Sequence, residues 1–224
     1  MADILSPDRN PAYGGWNTLP ASLWESAQGL DGRLFAAACP EIGVTGDTVR
    51  LPFLGKTLRV HPRDREMAWE ETGRSPTFQE GLVALTYLAN FKPIALSEKW
   101  IPSAELPGCR TFFSTRSHPP KVGAILDCWE NRHAEFIDTV KQLNGRFIPA
   151  GDEGIDLPCL PLVPLRYIFY EGEPALPPAA TLLVNATAHL FLPPDVLWAL
   201  MNLTDERFME RAGKLSLPNT REMI

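Results

Sequence analysis

The sequence lacks the paired cysteines on which most metal and redox motifs depend. Its four cysteines stand far apart, and no Cys-x-x-Cys pair occurs. This spacing excludes the common zinc, iron–sulfur and thioredoxin-like motifs. A single cysteine can still be a nucleophile when it is accessible. We expect Cys109, which follows Pro107-Gly108 in a predicted loop, to be the most exposed thiol and Cys128 to be buried and inert. The remaining two are Cys39 and Cys159.

The sequence is also poor in basic residues and in long apolar runs. It has 21 Lys and Arg against 27 Asp and Glu, so the formal net charge is −6. Binding to nucleic acid requires a basic surface, which this composition does not favour. No apolar run is long enough to span a bilayer, and residues 1–11 show no signal-peptide pattern. We therefore expect a cytoplasmic protein that binds neither nucleic acid nor membrane.

The common catalytic motifs are missing as well. There is no Gly-x-Ser-x-Gly motif, so an α/β-hydrolase is not indicated. Ser114 and His118 lie close together in an irregular segment, where such residues usually form loop hydrogen bonds. The acidic run Asp152-Glu153-Gly-Ile-Asp156 lacks the rest of a calcium-binding loop, and we interpret it as a solvated turn.

Proline is abundant, and it determines the expected fold class. The 22 prolines are spread along the whole chain, which favours short elements joined by extended connections and argues against a helical bundle. We predict an α+β fold in which helices pack on an antiparallel sheet. Residues 1–19 are expected to be an extended lead-in, residues 20–211 a single domain and residues 212–224 a polar tail.

Several elements have clear sequence signals. Alternating apolar residues over 48–61 predict a β-hairpin with a type II′ turn at Gly55-Lys56. Thr77-x-x-Glu80 is a capping box that predicts a helix start. Residues 162–170 and 180–191 are predicted strands, and Pro193-Pro194 opens a further helix. Segments 48–92 and 162–204 thus both have the order strand, strand, helix, which is compatible with two halves related by a pseudo-twofold axis.

One long helix is predicted from Pro120 or Lys121 to about Asn144, and it carries His133 on its apolar stripe. The favoured interpretation of His133 is a core histidine bonded to a backbone carbonyl. The alternative is a ligand or hydrogen-bond donor at the floor of a pocket, with Trp129 as a flat wall. Glu130, one position further round the helix, is not expected to face the same way.

The order and spacing of nine segments along the chain are informative together: 92–94, 98–102, 106–108, 112–116, 151–156, 161–165, 171–177, 182–184 and 190–192. These segments resemble the DUF3786 family of uncharacterised proteins. This resemblance covers most of the chain after residue 20 and implies a protein of strict anaerobes. Some relatives carry an added cysteine-rich iron–sulfur domain of the kind seen in corrinoid proteins, so the resemblance associates the chain with tetrapyrrole metabolism.

Three functional hypotheses follow. The first is a protein that binds a small molecule or cofactor, such as a corrinoid or haem, with aromatic walls and His133 or His118 as an axial ligand. The second is an enzyme using Asp156, Glu171 or Glu173 with His133 or Arg116. The third is an interaction module that docks on a methyltransferase or redox partner protein. The expected ligand-binding residues are His133, Trp129, Trp100, Arg116, Phe113, Asp156, Tyr170 and Glu173.

Overall fold

A computed structural model describes residues 15–29, 35, 37–114 and 118–211. It contains two antiparallel sheets with packed helices, so the predicted α+β class is confirmed. Only residues 15–19 of the predicted lead-in are described, and they include a 3-10 turn at Trp16–Thr18 instead of a fully extended segment. The predicted tail, residues 212–224, lies outside the described residues.

The first sheet is a four-stranded meander in which each strand pairs with the next along the chain. The pairs Leu51–Leu58 and Leu58–Trp69 stand opposite one another, and these residues are buried on the same face of the sheet. The alternation in the sequence therefore corresponds to one core face and one solvent face. The strands are β1 (Gly43–Thr45), β2 (Thr48–Phe53), β3 (Lys56–His61) and β4 (Glu66–Trp69).

The hairpin β2–β3 has the predicted position, but the predicted type II′ turn is wrong. The two turn residues are Leu54 and Gly55, with φ of 48° and 75°. Positive φ at both central residues defines a type I′ turn, whose twist matches that of the flanking strands. The sequence suggested Gly55-Lys56 because glycine at the first position is the usual type II′ signal.

The helix predicted from the capping box is confirmed. It is α2 (Phe78–Ala89), preceded in the chain by α1 (Ala21–Gln28). The Thr77 hydroxyl accepts a hydrogen bond from the Glu80 backbone N–H at 3.2 Å, and the Glu80 carboxylate accepts one from the Thr77 N–H at 2.7 Å. These reciprocal bonds satisfy two of the N–H groups that a helix start leaves unpaired.

The second sheet has five strands in the order β5-β9-β8-β7-β6. Two of its strands were predicted, but residues 186–191 are not part of the last strand. That strand ends at Asn185, whose side chain accepts hydrogen bonds from the Thr187 backbone and hydroxyl, and a 3-10 helix follows at Ala188–Leu190. The strands are β5 (Trp100–Ile101), β6 (Arg146–Ile148), β7 (Glu153–Leu160), β8 (Val163–Tyr170) and β9 (Ala179–Asn185).

The predicted single helix over 120–144 is wrong, because the chain leaves helical geometry at Arg132 (φ −145°, ψ 52°). The segment forms α4 (Gly123–Asn131) and α5 (His133–Gln142), which follow the short α3 (Arg110–Phe113). The Arg132 guanidinium donates to Asp127 at 3.0 Å and to Glu135 at 2.8 Å. It therefore ties the two helices together at the break, an arrangement that helical periodicity alone does not reveal.

The last helix, α6 (Pro194–Arg211), lies at the centre of the domain, where it packs against α2, α4 and α5. The buried apolar residues form one continuous core. Both predicted strand–strand–helix segments have that order, although β4 intervenes in the first, and their helices α2 and α6 contact each other. A pseudo-twofold relation between them stays a prediction.

Among the helices of the described residues, none combines the length and apolarity that crossing a membrane would require.

Candidate functional site

A concave site lies between the α4–α5 junction, the start of β7 and the loop that follows β8. Its volume is about 660 Å³, which is within the range of ligand-binding clefts. We call it the acidic cleft, because half of its lining residues are carboxylates. The lining residues are Trp129, Glu130, His133, Asp152, Glu153, Glu171, Gly172 and Pro178.

Glu153 holds the two ring systems of the acidic cleft. Its Oε2 accepts a hydrogen bond from Trp129 Nε1 at 2.5 Å and lies 2.9 Å from His133 Nε2. An ionised carboxylate only accepts, so this contact requires a proton on His133 Nε2. Trp129 also stacks on Phe169 and His133 on Phe136. The indole and the imidazole are therefore fixed before any ligand enters.

The favoured expectation of a core histidine at His133 is wrong. The His133 side chain is 51% exposed and faces the acidic cleft together with Trp129. The pocket interpretation of this pair matches the observed placement. Glu130 was expected to face elsewhere, but it also lines the acidic cleft, because the helix ends one residue later and the cleft opens around its last turn.

The turn before β7 and the loop after β8 are joined to each other at the acidic cleft. Asp152 Oδ2 accepts a hydrogen bond from the Glu171 backbone N–H at 2.7 Å, and the Asp152 N–H donates to the Phe169 carbonyl at 3.0 Å. Asp152 was expected to lie in a solvated turn, and it does lie in an exposed bend, where its side chain also organises the wall of the cleft. Glu173 does not line the cleft, and it forms an isolated bridge with Leu176 further along the loop.

Asp156 lies on the opposite face of the second sheet from the acidic cleft. Successive side chains of a strand alternate between faces, so residues 153 and 156 of β7 point to opposite sides. Burial would raise the pKa of Asp156, but hydrogen bonds from Arg166 and Arg146 outweigh it and lower the pKa. Trp100 packs against the Arg166 guanidinium, 3.9 Å from the ring centre. These residues form a structural cluster of ion pairs and stacking contacts on the outer face of the sheet.

The other expected site residues are dispersed. Phe113 is buried in α3 against Phe112, and His118 stacks on Phe112 at 4.2 Å. Tyr170 is 44% exposed on the outer face of β8. Arg116 lies outside the described residues. Of the seven expected ligand-binding residues that the structure describes, only Trp129 and His133 line the acidic cleft.

The enzyme hypothesis required its acidic groups and histidine to converge on one cleft. Glu171 and His133 do so, whereas Asp156 and Glu173 do not. Sequence reasoning missed Glu153, the residue that connects Trp129 with His133. The sequence shows Glu153 in the acidic run 152–156, which was interpreted as a solvated turn, and the strand that begins at Glu153 was not predicted. In the part of the chain that the structure describes, no group of three or more His, Cys, Asp or Glu residues is placed to hold a metal ion.

The cysteines offer no nucleophile to this or another site. Cys109 is only 1% exposed, so the expectation of an exposed thiol is wrong, and the other three are also buried. Its loop packs beneath α3, and the Cys109 N–H donates to the Leu106 carbonyl. Burial raises the pKa of Cys39 to about 11 and that of Cys159 to about 12.

We therefore predict slow thiol chemistry in the native protein. With Ellman's reagent at about pH 8, the folded chain should show no thiol that reacts at the rate of a free cysteine, because the reactive thiolate is both rare and enclosed. The same reagent after unfolding in guanidinium chloride should titrate all four cysteines. One rapid equivalent in the native protein, lost on replacing Cys109 with serine, would contradict the observed burial.

Comparison with known proteins gives a family and nothing more specific. The model of a family described as a domain of unknown function (DUF3786) matches residues 36–206. No curated protein and no solved structure is significantly similar to the chain.

Proposed function

The chain belongs to the DUF3786 family, and we propose that it is a small-molecule-binding protein whose ligand occupies the acidic cleft. The observation that carries this proposal is the convergence of one indole, one imidazole and four carboxylates on a single concavity of about 660 Å³. Binding sites typically combine an apolar wall with a few fixed polar groups, and this cleft has both.

The rigidity of the lining supports the proposal. Trp129 is held between Phe169 and Glu153, and Asp152 fixes the entrance of the 171–178 loop. Groups that are already ordered lose little entropy on binding, so their interactions are available to the ligand. Surface residues without such second contacts would have to be ordered by the ligand itself.

A tetrapyrrole ligand stays a narrower prediction. In its favour, His133 and Trp129 line the same cleft. His133 Nε2, however, is engaged with Glu153, and Trp100 and Phe113 lie elsewhere. The carboxylates of the cleft would also repel the propionates of a haem. These residues do not fit a haem-like group as its axial ligand and wall, so no step is assigned to one.

A second candidate function is acid–base catalysis on the bound molecule. The specific observation is the distance of 2.9 Å between His133 Nε2 and Glu153 Oε2 inside the acidic cleft. A carboxylate that orients an imidazole and stabilises its protonated form is a common arrangement for proton transfer. Glu153 would hold the ring while the Nδ1 atom of His133 takes up the proton.

The binding proposal predicts a localised response of one tryptophan. The chain has six tryptophans, so a proton–nitrogen NMR spectrum contains six indole N–H signals, and the Trp129→Phe variant identifies the relevant one. Titration with a fragment set of mixed charge, with cobalamin and haem included, should shift the Trp129 signal, since its Nε1–H lies in the cleft on Glu153.

The buried indole of Trp24 is the internal control, because it is only 2% exposed and belongs to a different part of the core. Its signal should stay in place when that of Trp129 moves. If every compound that binds leaves the Trp129 signal unchanged, or if none binds, the acidic cleft is not the binding site and the proposal fails.

A further inference from the structure

Resting on the proposed function, we infer that the ligand of the acidic cleft is an organic cation of the amine or guanidinium class. The volume of the cleft limits the size of the ligand, whereas the charged groups around it determine which ligand charge is favoured. The inference follows from the balance of charged groups around the cavity and from the contacts that each of them makes.

The acidic cleft carries four carboxylates without a matching basic side chain. Glu130, Asp152, Glu153 and Glu171 line it, and no lysine or arginine is among its lining residues. Within the described residues, the only ion pair that any of these four groups forms is that of Glu153 with His133, which is charged only when protonated. Like charges that share a cavity repel one another, and a bound cation would relieve this repulsion.

Two buried carboxylates outside the acidic cleft are neutralised by the chain itself. Buried Glu80 is paired with Arg74 and Arg207, and buried Asp156 with Arg146 and Arg166. In both cases the chain supplies two guanidinium groups to one carboxylate. In the acidic cleft, by contrast, the exposed carboxylates of Glu130, Asp152 and Glu171 line a concavity without an ion pair to any described residue, so a ligand can meet them there.

An organic cation fits better than a metal ion. A hard metal ion requires several oxygen ligands at about 2.0–2.6 Å, and the carboxylates of the cleft do not form such a group. The volume of about 660 Å³ exceeds the needs of a bare ion. The indole of Trp129, stacked on Phe169, supplies an apolar surface for the carbon skeleton of a ligand whose charged ends meet the carboxylates.

The test uses three compounds of the same chain length and different charge: 1,4-diaminobutane, 1,4-butanediol and succinate. We expect the diamine to shift the Trp129 indole signal in a saturable way, and higher ionic strength to weaken its binding. The neutral diol and the dianion should leave the signal unchanged at the same concentrations. Calorimetry then gives the dissociation constant of the diamine for the variants.

Glu130→Gln and Glu171→Gln each remove one negative charge from the rim and keep the side-chain shape. Each should weaken diaminobutane binding about fivefold, as expected for one partly exposed ion pair. Glu66→Gln is the matched control, because Glu66 is an exposed carboxylate on β4 outside the acidic cleft. It should leave the dissociation constant unchanged.

The outcomes separate this inference from the proposal on which it rests. Binding of succinate or butanediol at Trp129 as tight as that of the diamine would overturn the cationic class and leave the binding function intact. Equal effects of Glu130→Gln, Glu171→Gln and Glu66→Gln would overturn it too, since the rim charges would not be recognising the ligand. Failure of the whole fragment set to shift Trp129 would overturn the proposed function itself.

Discussion

Replacing Gly55 with alanine is expected to destabilise the fold by about 3 kcal/mol or more. Two effects add. Gly55 has φ +75°, a conformation that costs a residue with a Cβ about 1–2 kcal/mol. A Cβ at this position would also lie 2.1 Å from the backbone oxygen of Gln142 and 2.9 Å from Leu143 Cα. Because these atoms belong to the main chain, no side-chain rotation can relieve the clash.

The expected loss is large because the β2–β3 turn joins separate parts of the domain. Gly55 lies against the end of α5, while the neighbouring Leu54 N–H donates to the Cys159 carbonyl of β7 at 2.9 Å. Moving the turn to accommodate a methyl group would therefore weaken its contacts with both elements. Equilibrium unfolding in urea gives the change in the free energy of unfolding directly.

Gly46→Ala is the matched control for Gly55→Ala. Gly46 also has a positive φ, +58°, in the turn between β1 and β2, but a Cβ there would meet nothing within 4 Å. It should cost only about 1–2 kcal/mol, the conformational part of the effect. Equal losses for the two variants would show that the close approach of Gly55 to α5 contributes nothing to stability.

The sequence predicted those elements that are determined by residues close to one another along the chain. The capping box at Thr77 and the alternation over 48–61 depend on neighbours along the chain, and both predictions are confirmed. The turn type at Gly55 and the helix break at Arg132 were missed. The turn at Gly55 makes a close contact with α5, and the break at Arg132 is spanned by two ion pairs. Neither interaction is visible in the periodicity of a helix or a strand.

The site was predictable only in part for the same reason. Trp129 and His133 were placed together on the assumption of one continuous helix, and they do share the cleft although the helix breaks between them at Arg132. Glu153 reaches them from a strand twenty residues further on, and Glu171 reaches the cleft from the end of another strand. Their meeting depends on how the second sheet packs against α4 and α5. Trp100 and Asp156, which were expected to join them, lie on the other face of that sheet, and telling the two faces apart requires the strand register.

Glu80 is the second position at which a single change should have a large effect. Its carboxylate is 3% exposed, and it accepts hydrogen bonds from the Thr77 backbone, Trp69 Nε1, Arg74 and Arg207. Glu80→Ala leaves these donors without their common acceptor in a buried place. We expect a loss of about 3–5 kcal/mol in the free energy of unfolding, the usual cost of removing one partner of a buried ion pair.

The same carboxylate should make stability depend on pH in the acid range. Burial would raise the pKa of Glu80, but the Thr77 N–H and the guanidinium groups of Arg74 and Arg207 outweigh it and hold the pKa below its ordinary value of 4.5. A lowered pKa in the folded state means that the stabilisation is present above about pH 4.5 and is lost as the pH falls through the folded value. The stability difference between wild type and Glu80→Gln should therefore be constant near neutrality and shrink below that pH.

Glu210→Gln is the control for this prediction, because Glu210 pairs with the same Arg207 from a position that is 44% exposed. An exposed pair contributes about 0–1 kcal/mol, so this variant should unfold almost like the wild type at every pH. Glu80 differs in that it connects the start of α2 to Arg207 of α6 and to Trp69 of β4. If Glu80→Gln and Glu210→Gln lost the same small amount, α2 and α6 would be held together by apolar packing alone, and the buried carboxylate would serve only to cap its helix.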